Sequence, residues 1–353
     1  MSALSKTYRD QQLQASCLVA DIGGTHARFA IASPAINALN NKDLTLNYQH
    51  TYKVAEFQSL TLALLDYLAK VPEALRPTNA ILAVASAVTE DQIAFTNSQW
   101  SFSISALKQQ VKLDELLVIN DFAAVAWALP SLNDSDLETV GTPHSFDAKK
   151  SGVYAVLGPG TGLGVAALKI ENQQAIVLET EGGHIGFAPR THDEIKILQF
   201  LSKQYERVSY ERLLCGSGLL NLYRARSDLM KLTATLLTPE AVSAAATEND
   251  PAASAAAEDF CSIFGAFAGD TTLMFGAWQG VYMSGGLLPH LMNEKGKKIF
   301  RQAFEDKGRF SSLLEKTPTW IIKRSDIGKL GAACLWISKK NIKDRKNSAH
   351  KKM

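Results

Sequence analysis

The sequence predicts an α/β protein of two related halves, each built on a mixed β-sheet. Three observations carry this prediction. The chain has 353 residues, with 46% hydrophobic and 20% charged positions, which is enough for two full cores and unlike a disordered, collagenous or coiled-coil protein. Strand-like runs come first, and strands mixed with helical periodicity follow. A strand, glycine turn, strand pattern then occurs twice, in DIGGTHARFAIA (21–32) and GPGTGLGVAAL (158–168), as expected of an internal duplication.

Taken in order, Cys17 to Ile22 and Phe29 to Ala32 are short apolar runs, and the stretch near Tyr48 to Val54 alternates, so all three are expected as strands. Leu60 to Leu68 has helical spacing, and Ile81 to Val84 and Leu116 to Ile119 are buried strands. The polar segment Ser131 to Lys150, with Pro, Gly, Asn and several Asp residues, is expected as a linker or loop. The pattern then restarts, with strands at Val153 to Leu157, Gly164 to Ile170 and Ala175 to Glu179. Helical spacing marks Asp193 to Tyr205, Tyr210 to Leu214, Gly218 to Ala225 and the Ala-rich Ala252 to Phe275, the last long enough for a central buried helix. Gly280 to Ser284 and Thr319 to Lys323 are the last strands, and Ile327 to Ile337 the last helix.

The formal charge of +2 is unevenly spread. Residues 339–353 hold seven Lys/Arg against the single acid Asp344, a net of +6, which leaves the remaining chain at −4. A mildly acidic body without basic stripes argues against nucleic acid as the ligand, because phosphate neutralisation dominates such binding. The basic end reads as a solvated terminus, and truncation after Ser338 is expected to leave activity intact. No apolar run approaches the ~18 residues of a membrane span. The first fifteen residues lack the apolar core of a signal peptide, so a cytoplasmic location and no membrane partner are expected. Cys17, Cys215, Cys261 and Cys334 lie far apart, without zinc-ligand spacing, and are expected as buried free thiols.

Three glycine turns carry the first chemical signal. In Asp21-Ile22-Gly23-Gly24-Thr25, paired glycines allow close backbone approach, so the Gly24 and Thr25 amides can face phosphate oxygens while Asp21 holds Mg²⁺ through water; a tight hairpin turn is the alternative. Gly158-Pro159-Gly160-Thr161-Gly162-Leu163-Gly164 is denser in glycine than a hairpin needs. It matches neither the dinucleotide pattern nor the P-loop. With Gly285-Gly286 as a third turn, the set points to the actin-like arrangement, in which ATP lies in a cleft between two related domains.

Asn120-Asp121-Phe122 joins the strand LLVIN to the helical run DFAAVAWAL. Asp121 reads either as a helix N-cap or as a general base that takes a proton from an attacking hydroxyl, the positioning that phosphoryl transfer needs. In Glu181-Gly182-Gly183-His184, two glycines let Glu181 and His184 turn onto one small polyol, and Glu211 offers another carboxylate. A metal site there lacks a second His at ligand spacing.

Together DIGGTHAR (21–28), Phe95-Thr96-Asn97, Ile119 to Phe122, GPGTGLGVA (158–166), EGGHIGFAP (181–189), Ser209 to Arg212, Gly216 to Tyr223, GVYMSGG (280–286) and AFEDKGRF (303–310) resemble the bacterial glucokinase family, in order and over roughly residues 17–337. The resemblance implies a two-domain actin-like (ribonuclease H-like) fold with a mixed sheet in each domain and the active-site cleft between them. It places a small domain at 15–131 plus 326–340, a large domain at 132–325, and the basic tail at 341–353. It implies an ATP- and Mg²⁺-dependent kinase that converts D-glucose to glucose 6-phosphate at the start of glycolysis, usually as a homodimer.

By position, Asp121 resembles the base that deprotonates the 6-hydroxyl, and Asn120, Glu181, His184 and Glu211 the sugar ligands. Ala20, Asp21, Ile22, Gly23, Gly24 and Thr25 resemble the first phosphate loop, Gly160 and Thr161 the second, and Gly285 and Gly286 part of the adenosine side. The family commonly has Gly and Asn where this chain has Ala20 and His26. A Cys-Pro or Gly-Pro pair is common at Ser86-Ala87-Val88, and some members carry Asp at Gly186. None of these departures touches the base or the sugar ligands. The alternatives are a related hexose or hexosamine kinase and a non-enzymatic sugar-sensing regulator. The regulator would need a DNA-binding module before the first strand and zinc cysteines, neither of which is found.

Overall fold

Five of the six positions from Cys17 to Ile22 are buried, as suits a strand covered on both faces, and this run forms β1 (Cys17–Ile22). β2 (His26–Pro34) and β3 (Leu44–Lys53) extend it as an antiparallel meander. Helix α1 (Leu60–Lys70) starts at Ser59, whose hydroxyl accepts the Leu62 amide, and buries Leu60, Ala63, Leu64, Tyr67 and Leu68 along one stripe. β4 (Asn79–Val84) returns parallel to β1. A hairpin of β5 (Gln92–Ala94) and β6 (Ser101–Ser103) leads to α2 (Ile104–Gln110); β7 (Glu115–Asn120) lies parallel to β4, and α3 (Asp121–Ala128) springs from its end. This computed structural model describes residues 16–34, 44–95, 99–142 and 150–350, side chains of 342–350 excepted; Thr96 and Asn97 of the Phe95-Thr96-Asn97 motif fall outside these.

The chain continues through β8 (Leu137–Thr139) to a second meander, β9 (Gly152–Pro159), β10 (Leu163–Glu171) and β11 (Gln174–Thr180). Helices α4 (His192–Leu201), α5 (Gly216–Leu229), α6 (Pro239–Thr247) and α7 (Pro251–Phe275) follow. β12 (Val281–Met283) runs parallel to β9, and after α8 (Leu288–Leu291), α9 (Glu294–Glu305) and α10 (Ser311–Lys316) comes β13 (Thr319–Ile322), parallel to β12 and edged by antiparallel β8. The final helix is α11 (Ile327–His350).

Two units result, Met1–Leu132 with Arg324–Met353, and Asn133–Lys323. Their sheets are ordered β3-β2-β1-β4-β7 and β11-β10-β9-β12-β13-β8. Without β8, the two share one plan: a three-strand antiparallel meander whose first strand is flanked by two further parallel strands. This supports the duplication inferred from the glycine turns. The prediction of an α/β protein with mixed sheets holds.

In the first unit, Leu18, Ala20 and Ile22 enter a core with Leu64, Tyr67, Trp100 and Leu107, whereas Cys17 and Val19 meet Ala124, Ala332, Ala333 and Trp336 on the opposite face. In the second, α7 runs through the core beside Phe300 and Phe304 of α9. Its start is fixed by Asp250, which accepts the Ala253 amide, and by Pro251.

Several boundaries differ from the sequence reading. The polar segment Ser131 to Lys150 contains β8, too short for its alternation to show. Helices α2, α6, α8, α9 and α10 and the β5–β6 hairpin are not marked in the sequence, and Tyr210 to Leu214 yields only a single 3₁₀ turn, Tyr210–Arg212. α11 does not stop at Ile337. Beyond it the sequence holds no Gly or Pro and many good helix formers, so nothing ends the helix. All four cysteines are free; Cys17, Cys215 and Cys261 are buried, and burial pushes the Cys261 thiol up to about 12. Among the described residues, no helix is long and apolar enough to cross a membrane.

Candidate functional site

In each unit the marked residues gather at the carboxyl ends of the parallel strands. In the first unit, Ile22, Val84 and Asn120 are register partners across β1, β4 and β7, so the Gly23-Gly24 turn and the Asn120-Asp121 junction share one sheet edge. Open α/β sheets place ligands at such edges.

Side chains alternate along β1, so Ala20 and Ile22 point into the core and border the turn only through their main chain. Asp21 points to the other face, toward α11. Arg28, its register partner on β2, donates to its Oδ2 over 3.3 Å. Burial pushes the Asp21 carboxyl upward, opposed by the positive charges of Arg28 and Lys329. The turn is pinned by the Gly23 amide donating to the His26 carbonyl at 2.9 Å and by the Val54 amide donating to Thr25. His26 opens β2 and is half-buried.

The α3 N-cap is Asn120, and Asp121 is the first helical residue. Asn120 Oδ1 accepts the Phe122 and Ala123 amides at 2.8 and 3.2 Å, and its Nδ2 donates to the Ser86 carbonyl at 3.4 Å. Capping therefore takes up the acceptor end of Asn120, and its amide nitrogen is the end suited to a ligand. Asp121 is half-buried, with Oδ1 accepting the Phe122 amide at 2.9 Å.

In the second unit, Glu181 directly follows β11. The segment 185–187 pairs with 208–210 through the Tyr210 amide on Ile185, the Phe187 amide on Val208, and a Gly186–Ser209 bridge. That pairing carries Glu211 to the EGGH turn. His184 Nε2 lies 3.9 Å from Glu181 Oε2, and its Nδ1 lies 3.8 Å from Glu211 Oε1. Gly183 is required there, since a Cβ would run into the Leu163 carbonyl. Glu211 is the most enclosed of the three, and its Oε2 also accepts the Leu163 amide at 2.9 Å. Two carboxylates and an imidazole, open to solvent on one side, suit a compound with several hydroxyls, each donating and accepting.

Beside them lies the second glycine turn, closed by the Gly160 amide donating to the Gly162 carbonyl at 2.8 Å. Gly285 packs so tightly on the Pro159 carbonyl that no Cβ fits, which ties the Gly285-Gly286 turn to this one. The Gly216 amide donates to the Gly160 carbonyl at 3.0 Å, bringing the start of α5 to the same place. Gly216, with Gly218, opens the Gly216 to Tyr223 motif, for which the sequence implies no site role.

Among the described residues, no group of three or more His, Cys, Asp or Glu could hold a metal ion. A single partly buried carboxylate, Asp21, beside a glycine turn fits Mg²⁺, which keeps most of its waters and is bound through one or two carboxylates together with phosphates.

Comparison with known proteins agrees with this picture. The glucokinase family model matches residues 18–339. A glucokinase of Stenotrophomonas maltophilia is 42% identical over 318 residues, 90% of this chain and 93% of the relative. The crystal structure of a glucokinase from an Antarctic psychrotroph superposes with a TM-score of 0.79 at 36% identity, covering 91% of this chain and 98% of that one. A ROK-family glucokinase from Streptomyces griseus, in complex with glucose and AMPPNP, shares the fold at a TM-score of 0.60 and 17% identity, covering 91% and 98%.

Proposed function

This chain belongs to the glucokinase family, and we propose that it transfers the γ-phosphoryl group of ATP to the 6-hydroxyl of D-glucose. The observation that carries the proposal is the convergence of Glu181, His184 and Glu211 within 4 Å contacts beside a glycine turn. These three, with the Asn120 amide, hold the sugar hydroxyls. Asp121, at the carboxyl end of β7, accepts the proton of the 6-hydroxyl as its oxygen bonds to phosphorus; the β,γ-bridging P–O bond breaks and ADP leaves.

The turns at Ala20 to Thr25 and at Gly160-Thr161 hold the phosphates through main-chain amides, and Gly285-Gly286 borders the adenosine. Asp21 would be the residue that holds a Mg²⁺ ion, through its water, and the ion would offset phosphate charge. The two units correspond to the small and large domains of an actin-like, ribonuclease H-like fold, and the basic helical end is an appendage. A cytoplasmic homodimer that performs the first step of glycolysis completes the reading.

The primary test is ADP production from ATP and Mg²⁺ with and without glucose, where strict glucose dependence is expected. Asp121→Asn is expected to lower kcat by about 10²–10⁴-fold without loss of fold. Near-normal turnover in that variant would remove Asp121 as the base. Equal rates on glucose, mannose, fructose and glucosamine would replace glucose with a broader hexose substrate.

A further inference from the structure

The two carboxylate oxygens of Glu211 have different neighbours. Oε1 lies 3.8 Å from His184 Nδ1, whereas Oε2 accepts the Leu163 amide at 2.9 Å. Leu163 opens β10 and is the register partner of Pro159, which ends β9, so these two residues are the posts of the second glycine turn. A Cβ on Gly162 would stand 2.5 Å from that same Oε2, which puts the carboxylate against the turn itself. Among the described residues, Glu211 is the one side chain that hydrogen-bonds this turn. Its other hydrogen bonds, from the Gly160 amide to Gly162 and from the Gly216 amide to Gly160, run through main chain.

The backbone that carries Glu211 is anchored on both sides. Tyr210, before it, is 3% exposed and packs its ring on Phe187 and Phe267, with ring centres 5.5 and 4.5 Å away. Arg212, after it, lies over the Tyr205 ring, and its carbonyl accepts the buried Asn221 side-chain amide at 3.0 Å. Gly183 of the EGGH turn closes on the Leu163 carbonyl so tightly that no Cβ fits. Two segments of the sugar cluster therefore meet the two polar main-chain groups of one residue, and that residue is a post of the glycine turn. By charge alone a carboxylate beside such a turn is unfavourable, since it repels phosphate. Its contribution is a fixed acceptor that sets the Gly162–Leu163 peptide.

We propose that Glu211, besides meeting the sugar, is the positioning residue of the second glycine turn. Through Oε2 it holds the Gly162–Leu163 peptide so that the turn presents its amides to the nucleotide phosphates, whether or not a sugar is bound. This rests on the proposed role of that turn in holding phosphates. The main chain makes the contact with the nucleotide, and Glu211 acts through it.

The test is calorimetric binding of Mg-AMPPNP to the whole protein in the absence of sugar, beside binding of glucose in the absence of nucleotide. Glu211→Ala is expected to weaken Mg-AMPPNP binding by about tenfold, the size of one lost hydrogen bond. Glu211→Gln keeps an oxygen that accepts the Leu163 amide, so its Mg-AMPPNP affinity should stay within about twofold of the parent protein, while both variants bind glucose more weakly. Charge repulsion alone predicts the opposite sign, tighter Mg-AMPPNP binding in both variants. That result, unchanged affinity in Glu211→Ala, or equal weakening in the two variants would overturn the proposal. Should Glu211→Ala not fold, Glu211→Met fills the same space without the carboxylate, and weaker Mg-AMPPNP binding than in Glu211→Gln is expected; equal binding there would overturn the proposal as well. Gly160, where a Cβ would meet nothing of the protein within 4 Å, tests the turn itself. If Gly160→Val leaves Mg-AMPPNP binding intact, the reading of the turn as a phosphate loop fails and the role of Glu211 with it.

Discussion

Glu211 serves two purposes that its neighbours do not. One carboxylate oxygen faces His184 and the other accepts the amide of Leu163, a residue only 5% exposed. Glu211→Ala strands that amide and is expected to cost about 1–3 kcal/mol of stability, besides raising the KM for glucose. Glu211→Gln keeps an acceptor for Leu163, so it should lose sugar affinity with far less effect on stability. Glu181, exposed at the turn, should affect KM alone. Melting temperature measured beside glucose KM separates these outcomes. At the same scale, the division of labour between Asn120 and Asp121 was only half legible: the sequence showed an Asn-Asp pair at a helix start, and the backbone decided which one caps it.

Among the elements, α11 joins the most distant parts of the chain, packing the C-terminal residues Ala332, Ala333 and Trp336 on β1 and α3. At its start, Arg324 donates to both carboxylate oxygens of Asp326 at 2.8 and 2.9 Å and holds that carboxyl below the usual carboxylate range. A depressed native pKa contributes stability above the unfolded value of about 3.9, and loses it as pH falls through the native value. Arg324→Met is therefore expected to be less stable at pH 7 by up to about 1 kcal/mol. The gap to the parent protein should narrow as pH falls below the unfolded carboxylate value of about 3.9 and close once the native carboxyl is protonated, as denaturant titrations across pH would show. The helix itself was legible at its apolar beginning, Ile327 to Ile337, where spacing marks the buried face. Its continuation to His350 was not, because polar helix formers carry no such mark.

For the whole molecule, a body at −4 beside an end at +6 offers no broad positive field to draw in a nucleotide, which suits the local holding by main-chain amides and Mg²⁺ proposed above. The family match ends at residue 339, close to where the basic residues begin. Lys340 still stacks over Trp336, with Nζ 5.9 Å from the ring centre, so the cut that spares this contact falls after Asn341. A chain ending there is expected to keep its kcat and its melting temperature within a few degrees, since a short polar terminus commonly adds little stability. A large loss of either would place the basic end within the working protein.

The sequence by itself determined the mixed α/β class, most strands, the long buried helix and the three glycine turns, because each is written in a few adjacent residues as an apolar run, a period or a local backbone demand. Only the tertiary structure decided what those pieces meet. Glu211 reaches Leu163 across 48 positions through the pairing of 185–187 with 208–210, and Lys329 reaches Gln49 across 280 through the docking of α11 on the first sheet. Such encounters depend on strand order and helix packing, which no local period encodes.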